Sequence, residues 1–271
     1  MAIVGAGVLA AIAGAAQAES SLSIMSFGGA YQEAQRKAMF ETYTAAKGVK
    51  IVEQEYGGEI AKIKAMIESG NTTIDVIDVD APGLQQGCDE GIYEKLDWSK
   101  IGDRNEWLPG TASDCGVGTI VYSTMLAYDS SKLKDGPSKI GDLFDTKKFP
   151  GKRGLWKNPA TNLEFALLAD GVKPEDVYKT LSTKEGVDRA FKKLDTIKKD
   201  IVWWEKGAQA PQLLVSGEVA MTTAWNGRIT AANKEGAKLK IVWDNQILDS
   251  NFWVIPKGAK NVAASTDFIK F

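Results

Sequence analysis

The chain has 271 residues, 44% of them hydrophobic and 25% charged, with a net charge of −2. That balance suits a soluble chain of two domains and excludes disorder, a collagen-like repeat, a multi-span membrane protein and a basic footprint for nucleic acid. Histidine is absent, which removes Ser-His-Asp and Cys-His nucleophiles, histidine metal sites and histidine general bases.

In chain order, Met1 to Ala18 carry no charge and are almost entirely Ala, Gly, Val, Ile and Leu, ending Ala16-Gln17-Ala18 before Glu19. The small-x-small ending reads as an export signal over residues 1–18, with a membrane anchor as the alternative. Its basic start is missing, so the true start is expected upstream of Met1. In an oxidising compartment Cys88 and Cys115 read as a disulfide across about 27 residues. Two free buried thiols, or a very incomplete metal site, are the alternatives.

Leu22 to Phe27 predicts a strand stopped by Gly28-Gly29, and a helix follows to about Ala46. Val49 to Tyr56 predicts a second strand. Ile60, Ile63 and Ile67 share a helix face that ends near Gly70. Ile74 to Asp80 is a third strand, ended by Ala81-Pro82-Gly83. The βαβαβ order implies an α/β fold with a mostly parallel sheet between helices. Thr119 to Tyr128 predicts a strand able to run from one domain into the next, followed by a loop with Gly136-Pro137 and Phe149-Pro150-Gly151. Val187, Ala190, Phe191, Leu194 and Ile197 predict the clearest helix, with Lys192, Lys193, Lys198 and Lys199 on its wet side. Glu218 to Trp225 and Leu239 to Trp243 predict further strands, with a helix between them around Ile229 to Lys234. The chain stops at Phe271 inside an apparent helix, so its C-terminus is expected to be incomplete.

Ligands of open α/β sheets sit beyond the carboxyl ends of the strands. Ser26, Phe27, Gly28 and Tyr31 occupy the first such end, where two glycines let a ligand approach or simply make a tight turn. Asp78 and Asp80 face one side of the third strand, as an acid/base pair or, for Asp80, as the cap of the next helix. Trp156, Trp203, Trp204, Trp225, Trp243 and Trp253 all lie in the second half, several at strand ends. Some must be core; Trp225, directly before Asn226-Gly227, is well placed to lay its face across a crevice. A cation over such a ring gains roughly 0.5–2 kcal/mol, and a charge-assisted hydrogen bond about 1.5–3 kcal/mol. A few of each reach the ~8 kcal/mol of a micromolar complex without catalysis.

Five segments taken in order resemble the periplasmic solute-binding proteins of bacterial ABC transporters, in particular their spermidine/putrescine-binding branch. They are Ser26-Phe27-Gly28-Gly29-Ala30-Tyr31, Ile74-Asp75-Val76-Ile77, Ser216-Gly217-Glu218-Val219-Ala220-Met221, Trp225-Asn226-Gly227 and Trp253-Val254-Ile255-Pro256-Lys257. The resemblance implies the two-lobed periplasmic-binding-protein fold of type II, each lobe a mostly parallel sheet flanked by helices, joined by crossing strands. Residues 22–126 with 249–271 would form the first lobe and 127–248 the second. It implies a small-molecule ligand, a membrane permease as partner, a monomer, no cofactor, no metal and no nucleic acid. Tyr31 and Trp225 match positions whose rings stack on polyamines. Asp249 and Asn251 fall where the branch has a tryptophan and an aspartate that hold the amine. The stretch holding Trp156, Asn158 and Asn162 matches one with an acidic amine ligand, a role left open here for Glu164. The expected ligand-binding residues are Ser26, Phe27, Gly28, Tyr31, Asp80, Trp156, Asn158, Trp204, Trp225, Asn226, Arg228, Asp249 and Asn251.

Arg228 divides the ligand readings. Pointing into the cleft it favours a carboxylate, hence an amino-acid-like zwitterion; pointing outward it is an ordinary surface arginine of its helix, the preferred reading. A cationic amine such as putrescine or spermidine is therefore the leading ligand. A secreted hydrolase using Asp78 and Asp80, or a surface protein anchored by residues 1–18, are readings from other classes.

Overall fold

Three short runs rich in β-branched residues, Ser21–Ser26 (β1), Lys50–Glu55 (β2) and Val76–Asp80 (β3), lie side by side in parallel, with β1 in the middle. The computed structural model describes residues 20–271, so the leader expected at 1–18 lies outside the described residues. Between β1 and β2 the helical path is continuous through Gly29–Gln35, a π-helical turn Arg36–Phe40 and Glu41–Lys47. Ile63 is buried on the helix Ile60–Glu68, as the apolar spacing predicts. After β3 no loop intervenes: Asp80 caps the helix Ala81–Asp89 at once, its Oδ1 accepting from the Gly83 N–H at 2.9 Å.

Two long strands then differ from expectation. Gly116–Asp129 (β4) extends the predicted strand at both ends, and Leu239–Val254 (β8) runs eleven residues beyond Trp243. Between them come Arg153–Trp156 (β5), Ile201–Trp204 (β6) and Met221–Trp225 (β7). The eight strands form one sheet in the order β2-β1-β3-β8-β4-β7-β5-β6. β4 and β8 pair antiparallel through most of their length; the end of β8 pairs with β3, and the end of β4 pairs with β7. Each half of the sheet is otherwise parallel, and helices cover it. The fold is α/β.

One buried cluster runs across both halves of the sheet, from Met25, Ile77 and Phe252 to Leu214, Ile229 and Leu239, and each half adds a cluster of its own. Phe40, Tyr43, Trp253 and Phe268 pack together in the first, Tyr43 edge-on to Phe268 at 5.2 Å. Leu126, Phe149, Leu155, Phe165 and Met221 fill the second. Within the helix Lys184–Asp195, Ala190 is buried but Phe191 is 52% exposed, so the predicted apolar face is narrower than its spacing suggested. The loop after β4 contains a 3₁₀ segment, Ile140–Phe144, that the sequence did not announce.

Cys88 and Cys115 form a disulfide, with Cα atoms 6.0 Å apart, tying the helix after β3 to the start of β4. Among the described residues no helix is long and apolar enough to cross a membrane. The chain-entropy value for a closed loop of 27 residues is about 3.5 kcal/mol. Replacing both cysteines by serine is expected to lower the melting temperature clearly while changing ligand affinity less than about twofold; equal losses in melts and calorimetry would show that the bridge shapes the site.

Candidate functional site

Five strand ends meet in one place. Phe27 follows β1, Asp80 ends β3, Trp156 ends β5, Trp204 ends β6 and Trp225 ends β7. Pairing of β4 with its neighbours completes the floor: Tyr122 lies opposite Asp249, Thr124 opposite Trp225, and Asn251 between Asp80 and Ile120. A cavity of about 440 Å³ opens beside Phe27 and Trp225, lined also by Tyr31, Tyr122, Arg228 and Asn251, while Asp80, Trp156, Trp204, Glu164 and Asp249 stand outside its lining.

The rings form a box. Trp156 and Trp204 stack at 6.0 Å, and Trp225 stands edge-on to both at 5.4 Å, to Phe27 at 5.7 Å and to Tyr122 at 6.2 Å. All three indoles are buried, and the Nε1–H groups of Trp204 and Trp225 have no partner. Trp203 and Trp243 are about half exposed, and Trp253 belongs to the first core. Trp225 is thus packed in a cluster as well as facing the cavity.

Arg228 is only 5% exposed, which overturns the surface reading of this residue. Its Nη2 donates to the Phe27 carbonyl at 2.9 Å, while Nη1 has no partner. Burial lowers its pKa. Arg153 provides the contrast: equally buried, its guanidinium donates to the carbonyls of Leu143, Gly151, Phe149 and Asp145. One arginine is saturated by backbone and the other is left short of an acceptor. Gly29 permits this approach, since a Cβ there would sit 2.7 Å from Arg228 Nη1. At Gly28 the backbone is left-handed with φ 63°, and a Cβ would meet the Glu55 carboxyl at 2.5 Å.

Carboxylates gather on the other side chains. Asp249 accepts from the Tyr122 hydroxyl at 3.2 Å and from the Ser250 N–H at 2.7 Å. Burial pushes its pKa up. Asp80 is raised to about 6, chiefly by burial, with the Asp249 charge adding to it. Glu164 is raised by burial and also feels Asp249, and its Oε2 is buried without a partner. None of these three acids is ion-paired among the described residues.

Other expected residues play supporting parts. Ser26 and Asp78 are fully buried, linked at 3.0 Å and both bonded to Gln35. They lie in the interior, so Ser26 does not reach the cavity and Asp78 offers a substrate no surface. The acid/base pairing of Asp78 with Asp80 is not built. The Asn226 carboxamide oxygen accepts from the Ser123 N–H at 3.1 Å, and that of Asn158 from the Ala160 N–H at 2.9 Å, so both brace backbone. Tyr31 lies with its hydroxyl 3.4 Å from Thr119 Oγ1. Sequence reasoning missed Tyr122; a sheet register between residues 127 positions apart leaves no local signal.

Residues 38–271 match the family described as bacterial extracellular solute-binding protein. The chain belongs to that family. It is 51% identical over 262 residues to the gamma-aminobutyric acid-binding protein of Pseudomonas aeruginosa, covering 96% of this chain and 74% of that protein. A solved GABA receptor shares 39% identity with a TM-score of 0.79, covering 93% of this chain and 77% of its own. The likeness to spermidine/putrescine-binding periplasmic protein 1 of Haemophilus influenzae is 25%, over 86% of this chain and 66% of that one. Its fold is that of the periplasmic binding proteins. The solute-binding family expected from sequence therefore holds, and the polyamine branch carries the weaker likeness.

Asp78 and Asp80 give this solute-binding protein a pH signature. With folded pKa values near 7 and 6 against about 3.9 in the unfolded chain, the native state holds more protons between those limits. Their contribution to stability is then fully present below pH 4 and is lost as pH rises through 6 and 7. Asp78→Asn is expected to flatten that decline in ligand-free melts; an unchanged slope would show that Asp78 titrates normally.

Proposed function

We propose that the protein is the periplasmic receptor of an ABC importer and that its ligand is a short ω-amino acid, GABA first among the candidates. The observation that carries this reading is the buried Arg228 guanidinium with an unfilled donor in a ring-walled cavity. A carboxylate supplies the missing acceptor, in the charge-assisted geometry that arginine favours. The uncompensated Asp80, Asp249 and Glu164 ask for a cation, and the rings between suit a short apolar stem. A zwitterion with separated charges answers all three.

Electrostatics decides between this ligand and a diamine. At an effective dielectric near 20, unit charges 4 Å apart interact by about 4 kcal/mol. Arg228 attracts a carboxylate by that order and repels a second ammonium by as much. Burying methylenes adds roughly 0.8 kcal/mol each, three in GABA and four in putrescine, so the stem favours the diamine by only about 0.8 kcal/mol, well under the charge effect. The relatives named for GABA support the same choice.

On this reading the leader at 1–18 directs export, and the parallel halves of the sheet close on the ligand by bending where β4 and β8 cross between them. Residues 22–126 with 249–271 form one lobe and 127–248 the other. A monomer delivers the solute unaltered to its permease.

Calorimetry of the mature protein is expected to show GABA binding at micromolar affinity or tighter and putrescine far more weakly. Arg228→Ala should weaken GABA by about 10- to 100-fold, the value of a lost charge-assisted hydrogen bond. Tighter binding of putrescine than of GABA, or indifference of GABA to Arg228→Ala, would return the ligand to the polyamine class.

A further inference from the structure

The loops that follow the two outermost strands of the sheet meet. β2 and β6 stand at opposite ends of the strand order, with six strands between them. Gly57 lies two residues beyond β2, and Glu205 directly follows β6. A Cβ on Gly57 would stand 2.8 Å from the Glu205 carbonyl oxygen, well inside the roughly 3.5 Å of ordinary contact. Its next nearest neighbours, atoms of Glu59, would lie at 3.5 Å. Gly57 is outside the left-handed region, so the closeness of Glu205, and not the backbone, excludes a side chain there. Two further contacts cross the same gap: a Cβ on Gly58 would lie 3.4 Å from Trp156 Cζ2, and Arg228 Nη2 donates to the Phe27 carbonyl at 2.9 Å. Both loops are braced. The Tyr56 N–H donates to the Ser26 carbonyl at 3.0 Å, and the Gly57 N–H to Glu59 Oε2 at 2.8 Å. Opposite them, the N–H groups of Glu205 and Lys206 donate to Gln209 Oε1 at 2.9 and 2.8 Å, and Lys157 Nζ donates to Glu205 Oε1 at 2.7 Å.

We propose that Gly57 is the clearance residue of ligand-dependent closure: its missing side chain lets the two halves come together at the Glu205 carbonyl, and a Cβ there holds the cleft ajar. The inference rests on the receptor reading above, with its halves bending where β4 and β8 cross, and adds the residue that sets how far they close. Gly57 stands outside the lining of the cavity, so it acts without touching the ligand. It works through population, because apparent affinity falls with the fraction of protein able to close. A Cβ against a braced carbonyl overpacks the closed form alone. The open form is spared that clash, and alanine lowers the entropy of the unfolded chain relative to glycine. One substitution therefore weakens binding without weakening the fold, which a glycine needed for folding would not do.

Calorimetry, thermal melts and small-angle scattering of the mature wild type and of Gly57→Ala, each with GABA and with putrescine, test it. The wild type is expected to contract on binding its solute. Gly57→Ala should bind that solute about 10-fold or more weakly, through faster dissociation, and contract less. Its ligand-free melting temperature should be unchanged or higher. A lower ligand-free melting temperature, an unchanged affinity or an undiminished contraction in Gly57→Ala would overturn the clearance role while sparing the ω-amino acid reading. Binding of putrescine in place of GABA would sink that reading, and the same comparison made with putrescine would then decide the clearance role. A wild type that binds neither solute would sink both.

Discussion

The guanidinium of Arg228 is buried with one donor unfilled and in no ion pair among the described residues, and much of the site follows from that imbalance. Removing one charge from water costs several kcal/mol unless a partner and hydrogen bonds replace the solvent. Only one such bond, to the Phe27 carbonyl, is recorded for its side chain. Arg153, at the same depth, shows what a purely structural arginine looks like: carbonyls receive its donors. The difference between the two is the difference between a residue that finishes folding by itself and one completed by something from outside.

The scaffold makes the imbalance possible by keeping opposite charges on different elements. Arg228 sits in the first turn of the helix Asn226–Lys234, after β7, whereas Asp80 ends β3 and Asp249 lies on β8 opposite Tyr122. Indole rings stand among these groups. Had the acids and the guanidinium packed against one another, they would have neutralised each other and left only an apolar pocket. The antiparallel crossing of β4 and β8 fixes their relation, because those two strands pair with both β3 and β7.

How far the sequence reveals this depends on range. β1 to β3 and the helices between them are legible because period-2 and period-3.6 patterns are local. The cysteine pair is a compositional signal of the same kind. β8 is not legible beyond Trp243, because Asp244-Asn245-Gln246 breaks the apolar run and Asn245 takes φ 50° where the register with β4 shifts. The strand-end aromatics Phe27, Trp156, Trp204 and Trp225 are readable from position alone, and they do converge. Arg228 is misread because a short helix of mixed composition gives no face, and its direction is set by Phe27, 201 residues away. Tyr122 is invisible for the same reason: the register of β4 with β8 decides what it meets.

The two signs of unmatched charge bear differently on selectivity. A lone guanidinium distinguishes carboxylate from ammonium, a gross difference of charge. Asp80, Asp249 and Glu164, none of them ion-paired among the described residues, could attract any cation, so by themselves they would select little. On the reading proposed above, discrimination therefore falls first on the guanidinium, which favours one sign of ligand charge and repels the other, whereas the acids add attraction without choosing among cations.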